Sequence, residues 1–149
     1  MIGEAEALLR LAMAAGFGAL IGIEREERNK PAGVRTFSIV ALGSALFSII
    51  GLMTFGQNDA GARIAAQVVT GVGFLGAGTI LHNRGNVIGL TTAAGIWGSA
   101  AVGMGLGFGL YFLSMGGAII MLTVLRVIGR LEHDAIDRDE RQEHVEDDR

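Results

Sequence analysis

Between Thr36 and Leu125 only Asp59, Arg63 and Arg84 carry charge. A water-soluble domain with so bare a stretch would present a continuous apolar surface and aggregate. The chain must place that surface in lipid, and its composition agrees, with 50% hydrophobic residues, 24 glycines and one proline. The fold class expected is therefore all-α: a polytopic transmembrane helical bundle with the lipid bilayer as its solvent.

The remaining charge is concentrated at the C-terminal end. Residues 130–149 hold 9 acidic and 4 basic side chains, while the whole chain has a net charge of -3. The division expected is a membrane domain over residues 1–129 and an acidic, polar cytoplasmic tail over residues 130–149. Nucleic-acid binding needs a basic stripe interleaved with aromatics, and the one segment outside the apolar pattern is acidic, so no nucleic-acid partner is expected. The absence of cysteine removes disulfides, thiolate nucleophiles and Cys-based zinc sites together.

A helix crosses the hydrocarbon core with about 20 apolar residues. Thr36–Asn58 and Ile64–Asn83 each supply one such run, and Gly85–Leu125 supplies enough for two helices that reverse on themselves. The reversal is expected within Gly103–Gly109, where four glycines at alternate positions weaken the helix and permit positive φ. A first span requires the segment around Leu11–Ile23 to include Arg10, which must snorkel to the near surface or point into the bundle. The acidic Glu4 and Glu6 argue against a signal peptide, so this span is expected to be retained. With five spans, Arg25, Arg28, Lys30, Arg35, Arg84, Arg126 and Arg130 fall on one side. The positive-inside rule makes that side cytoplasmic, with the N-terminus outside and the C-terminus inside.

Lipid supplies no hydrophobic force between helices, so small residues that let backbones touch mark packing faces. Ala14, Gly18 and Gly22 form one such face, and Gly71, Gly73, Gly76 and Gly78 supply the same chemistry on span three. The run Gly71–Gly76 spells GxGxxG, yet it lies inside an apolar stretch with no acid about 20 residues on, so it reads as helix packing rather than a dinucleotide loop. On span three Arg63, Gln67 and Thr70 share one helical stripe; on span four Thr92, Gly95 and Ser99 share another. Such stripes either line a polar path, since ionisable groups in membranes are costly and tend to be functional, or the Thr and Ser bond their own helix or a neighbour while Arg63 sits at the interface paired to Asp59 one turn earlier.

The segment Glu24–Lys30 holds three carboxylates, but successive helical residues diverge and Arg25, Arg28 and Lys30 compete for them, so a solvated helix end fits better than a cation cage. Glu24 and Arg35 are candidates to bridge spans one and two. No histidine spacing, catalytic triad, nucleophile elbow or phosphate loop is present. The expectation is a protein without catalytic residues, metal site or cofactor.

Four blocks, Gly18–Glu26, Ala32–Thr36, Arg63–Gly78 and Val87–Ala94 followed by Trp97, together resemble the membrane domain of the MgtC/SapB family. The resemblance covers about residues 5 to 128. It implies a bacterial inner-membrane protein of about five spans, tied to growth under magnesium limitation and, in pathogens, to virulence. It further implies regulation of membrane energetics through the F-type ATP synthase as a partner. Longer members continue into an ACT-like domain, so the resemblance is to a short form. It places Glu24, Arg25, Arg35 and Thr36 at the cytoplasmic edge, Arg63, Gln67 and Gly71 to Gly78 in span three, and Thr91, Thr92 and Trp97 in span four.

Two functional classes follow. In one, a non-enzymatic regulator acts through helix contacts with another membrane complex, as a homodimer or larger homo-oligomer. In the other, the polar stripes line a route for an ion, Mg²⁺ by what the family resemblance implies, or for a small solute. A cation route wants intramembrane carboxylates or a carbonyl filter, and Asp59, at a loop, is the one acid between Thr36 and Leu125.

Overall fold

In a computed structural model, which describes residues 2–55, 59–83 and 86–129, the chain is a bundle of five helices. They are α1 (Glu4–Glu27), α2 (Val34–Phe55), α3 (Asp59–Ala77), α4 (Leu90–Gly107) and α5 (Tyr111–Thr123), the last prolonged by a π-helical turn over Val124–Ile128. Between α3 and α4 lies a small antiparallel hairpin, β1 (Leu81–Asn83) with β2 (Asn86–Ile88), pairing Leu81 with Ile88 and Asn83 with Asn86. The expected tail over residues 130–149, the Asp59 side chain and Arg84 lie outside the described residues.

Local chemistry sets the helix ends. Glu4 and Glu6 occupy the first turn of α1, where carboxylates oppose the positive end of the helix dipole. At its other end Asn29 adopts φ 53, with Lys30 N–H bonded to Arg25 O and Asn29 N–H to Glu26 O; this is a Schellman closure using asparagine in place of glycine. The Glu26 carboxylate then accepts from Val34 N–H at 3.1 Å and so caps α2. The same closure ends α4, through Leu110 N–H to Gly105 O and Gly109 N–H to Leu106 O, with Gly109 at φ 80.

Two expectations are adjusted by the structure. The third apolar run does not continue as helix to Asn83: α3 stops at Ala77, and the residues beyond it turn into the hairpin. Gly89, at φ 94, makes the hairpin's junction with α4 possible, because a Cβ there would collide with the Thr79 carbonyl oxygen. The reversal between α4 and α5 falls at Phe108–Leu110, leaving Gly103, Gly105 and Gly107 inside α4.

The glycines inside α4 have a packing cause. A Cβ at Gly103 would strike the Ala41 carbonyl oxygen, and one at Gly107 would lie 2.6 Å from that of Ala45, so α2 and α4 touch backbone to backbone. On α1, Gly18 and Gly22 do the same against Phe37 and Val34 of α2. Helix α4 is central and packs against all four others. Two apolar layers fill the interior: Ile21, Phe37, Ile96 and Leu125 towards the C-terminal end of α1, and Ala14, Ala41, Ala45 and Leu106 towards its N-terminal end.

The outer surface is the reverse of a soluble protein's, with Phe112 87% and Phe74 82% exposed. Among the described residues α1, α2 and Tyr111–Ile128 are long and apolar enough by themselves to cross a membrane, and α3 contributes the shorter apolar stretch Gly61–Ala77. Surrounded as it is by the other helices, α4 can carry Thr91, Thr92 and Ser99 without presenting an apolar face all round. The molecule is an all-α membrane bundle.

Candidate functional site

The helices alternate in direction and bring the C-terminal ends of α1 and α5, the hairpin and the N-terminal end of α4 to one end of the bundle. There Glu24 is 1% and Arg25 3% exposed, because the glycine contacts of α1 hold its last turns against α2. This departs from the solvated helix end expected of the cluster. The buried Glu24 carboxylate faces Arg28 Nε at 2.7 Å and Arg25 Nη1 at 3.4 Å, so two cations share one anion. Arg25 Nε has no hydrogen-bond partner among the described residues. Arg28 also donates to the Arg126 carbonyl oxygen at 3.0 Å, tying α1 to the end of the last helix. Arg35 and Thr36 are exposed, and Glu24 turns to Arg28 and Arg25 rather than to Arg35.

An open pocket of about 630 Å³ lies at this end. Arg25, Arg28 and Lys30 line one side; Thr91 and Thr92, in the first turn of α4, and apolar residues from the hairpin and the last helix line the rest. The structure thus joins Arg25, Thr91 and Thr92, three of the residues singled out in the sequence, and adds Arg28 and Lys30 to them. Trp97, one to two turns along α4, is half exposed and lies outside the pocket.

Arg63 and Gln67 belong to a different place, an open groove of about 800 Å³ between α2 and α3. Apart from Ser44 its other walls are apolar, with Ile39, Phe47, Val68, Gly71 and Leu75 among them. Thr70 bonds its own helix at Ala66 O, 3.1 Å away, and so satisfies itself locally. Gly71 and Gly73 meet nothing, whereas Gly76 approaches the Ala93 backbone of α4 and Gly78 lies in the turn that ends α3. The stripe of α4 points elsewhere: Ser99 donates to Phe37 O at 3.2 Å, and Gly95 faces the Phe37 ring. The two stripes therefore line no common path among the described residues; Thr92 and Ser99 face the interior of the bundle while Arg63 and Gln67 face outward.

A third polar cluster sits at the opposite end. Arg10, 7% exposed, turns into the bundle and donates to Gly107 O at 2.8 Å, Tyr111 Oη at 2.9 Å and the Glu6 carboxylate. The signal in the sequence was a single arginine inside an apolar run; its partners, about 100 positions away, were not visible there. Among the described residues no three His, Asp or Glu side chains come together as a metal site.

Similarity to known proteins supplies the context for these sites. The chain is 48% identical to YhiD of Escherichia coli K12, a protein named as a candidate magnesium transporter, over 134 residues covering 85% of this chain and 62% of that one. It is 45% identical to protein MgtC of Salmonella typhimurium over 115 residues, 77% of this chain and 49% of that protein. It is also 45% identical to the uncharacterised slr0014 of Synechocystis over 118 residues, 79% and 50% of the two chains. The chain therefore spans about half to three-fifths of the length of these relatives. No solved structure matches it. The MgtC family model matches residues 11–134, from within α1 through the whole of α2 to α5, and with relatives this similar the chain belongs to the MgtC family.

Proposed function

We propose that this membrane protein supports ion homeostasis under magnesium limitation as a non-enzymatic regulator, acting through helix contacts with another membrane complex. The observation that carries the reading is the outward placement of Arg63 and Gln67. Polar groups on a membrane helix normally face protein or water, because hydrocarbon leaves them unsatisfied. Here they border an apolar groove open between α2 and α3, a shape suited to a partner helix that brings acceptors of its own. Gly71, on the same groove with nothing against it, would let that helix approach closely. A second copy of the chain is one such partner, giving a homodimer or larger homo-oligomer. The F-type ATP synthase is the complex to which the family resemblance points. The setting is the bacterial inner membrane, with the basic end of the bundle in the cytoplasm and the N-terminus outside.

The names of the relatives favour a second reading, transport of Mg²⁺. Against it stands the charge of the groove: among the described residues its one ionised lining side chain is Arg63, a cation that repels Mg²⁺. Purified full chain reconstituted in liposomes decides between them. The regulatory reading expects no Mg²⁺ entry above that of empty vesicles, and saturable uptake abolished by Gln67→Ala would replace it with transport.

A further inference from the structure

The pocket at the basic end has features beyond the excess of cations that membrane orientation calls for. Three cations, Arg25, Arg28 and Lys30, line it, and among the described residues no carboxylate does. Glu24 balances one of these charges, through Arg28 at 2.7 Å and Arg25 at 3.4 Å. A guanidinium is costly to bury with a free N–H, yet Arg25 is 3% exposed and its Nε is unpartnered among the described residues.

On the facing wall α4 begins. Its N-cap is Gly89, in the left-handed region and without a side chain to close the helix, so among the described residues no side-chain oxygen caps the first turn. The first amide N–H groups of a helix have no internal acceptors and form the positive end of its dipole. Those of Leu90, Thr91 and Thr92 lie in residues that line the pocket. Helical amides with no acceptor among the described residues and three cations thus converge on one cavity, and an oxyanion is the group that satisfies both.

The remaining wall identifies the carrier of that oxyanion. Leu81, Val87, Ile88, Leu90, Val124 and Ile128 are apolar, and each is about half exposed. They continue from the cationic side onto the outer surface of the last helix, where lipid chains run. A pocket charged at one edge and greasy along the other matches an amphiphile with its phosphate at the membrane boundary.

We propose that this pocket binds a phosphate oxyanion and that the oxyanion is carried by an anionic phospholipid. Arg25, Lys30 and the first turn of α4 hold the phosphate, and the Val124–Ile128 turn lies along the glycerol and upper acyl chain. Arg28 orients the site through its contacts with Glu24 and Arg126 O. The site is at the opposite end of the bundle from Arg63 and stands independently of the regulatory reading.

The test uses the purified full chain in mild non-ionic detergent. Native mass spectrometry compares retention of dioleoylphosphatidylglycerol with that of dioleoylphosphatidylcholine, and calorimetry titrates inorganic phosphate. The expected result is a marked preference for phosphatidylglycerol, weakened about fivefold by Lys30→Ala, the loss expected for one cation at an anionic surface. Arg25→Gln should weaken it about tenfold or more, as hydrogen bonds to charged groups require. Lys30 is exposed, so its variant keeps the fold and reports on binding even if Arg25→Gln does not fold. Arg35→Ala removes an exposed charge from the same end but outside the pocket, and should leave the preference unchanged.

Saturable phosphate binding that Lys30→Ala weakens, without lipid preference, would support the oxyanion site with free phosphate as its occupant. Equal losses in Lys30→Ala and Arg35→Ala would mean diffuse surface charge and overturn the proposal. Absence of both lipid preference and phosphate binding would overturn it as well.

Discussion

Arg10 Nη1 donates to the carbonyl oxygen of Gly107 at 2.8 Å, joining the first helix to the last residue of the fourth across nearly a hundred positions of sequence. The closure of α4 by Gly105 and Leu106 leaves the Gly107 carbonyl for a donor from outside the helix. A cation at a helix C-terminus also opposes the negative end of the dipole. Tyr111 Oη and the Glu6 carboxylate complete the arginine's partners, so a charge buried in the membrane domain is satisfied on three sides.

Removing that donor should loosen the bundle without preventing insertion. Arg10→Ala is expected to cost about 1–3 kcal/mol, the penalty for stranding buried hydrogen-bonding groups. Tyr111→Phe, which keeps the bond to Gly107, should cost less. Thermal unfolding in detergent checks both, and equal melting temperatures for wild type and Arg10→Ala would remove the network as a source of stability.

Glu24 and Arg35 should behave oppositely. Glu24→Ala leaves Arg25 buried without its anion and is expected to destabilise by about 3 kcal/mol or more, as happens when one partner of a buried pair is deleted. Arg35→Ala removes an exposed charge that is not paired with Glu24, and should lie within about 0.5 kcal/mol of wild type. A large loss for Arg35→Ala would restore a bridge between α1 and α2 that the structure does not contain.

Glycines that look alike in the sequence should separate by substitution. Gly103→Ala drives a methyl into the Ala41 backbone and should cost about 1–3 kcal/mol, the range for overpacking. Gly73→Ala places its methyl in open space on α3 and should gain up to about 1 kcal/mol of helix propensity. Chemical denaturation of the two variants in one detergent gives the comparison, and the same sign for both would contradict the helix contacts described.

Arg63→Ala should insert and fold as wild type does, since the side chain is exposed and its removal makes the helix more apolar. In a deletion strain grown at low magnesium it should nevertheless fail to complement. Full complementation by Arg63→Ala and Gln67→Ala together would detach the groove from function.

The orientation can be read with a reporter active only outside the cytoplasm. Fused after Arg149 it should be silent, and fused ahead of Met1 behind an export signal it should be active. Activity at the C-terminal fusion would overturn the direction in which the bundle is placed.

The membrane class and the approximate number of helices were legible from the charge pattern alone, because crossing hydrocarbon imposes a length and an apolarity that any sequence must display. The small-residue face of α1 was legible for the same reason: Gly18 and Gly22 repeat at helical spacing and touch α2. Span three was read too long, since an uncharged run does not reveal that Gly78 to Asn83 leave the helix and that Gly89 lets the hairpin join α4. Other matters belonged to tertiary structure. Which glycines meet a backbone depends on the partner opposite, so Gly103 is essential to a crossing while Gly71 and Gly73 face nothing. Arg10 could snorkel or turn inward on sequence grounds, and the carbonyl of Gly107 together with Tyr111 decided for the interior. Likewise Glu24 stood among exposed neighbours in the sequence, and the close approach of α1 to α2 buried it between Arg25 and Arg28. Spacing along a helix specifies a face; what covers that face is set by contacts between segments far apart in the chain.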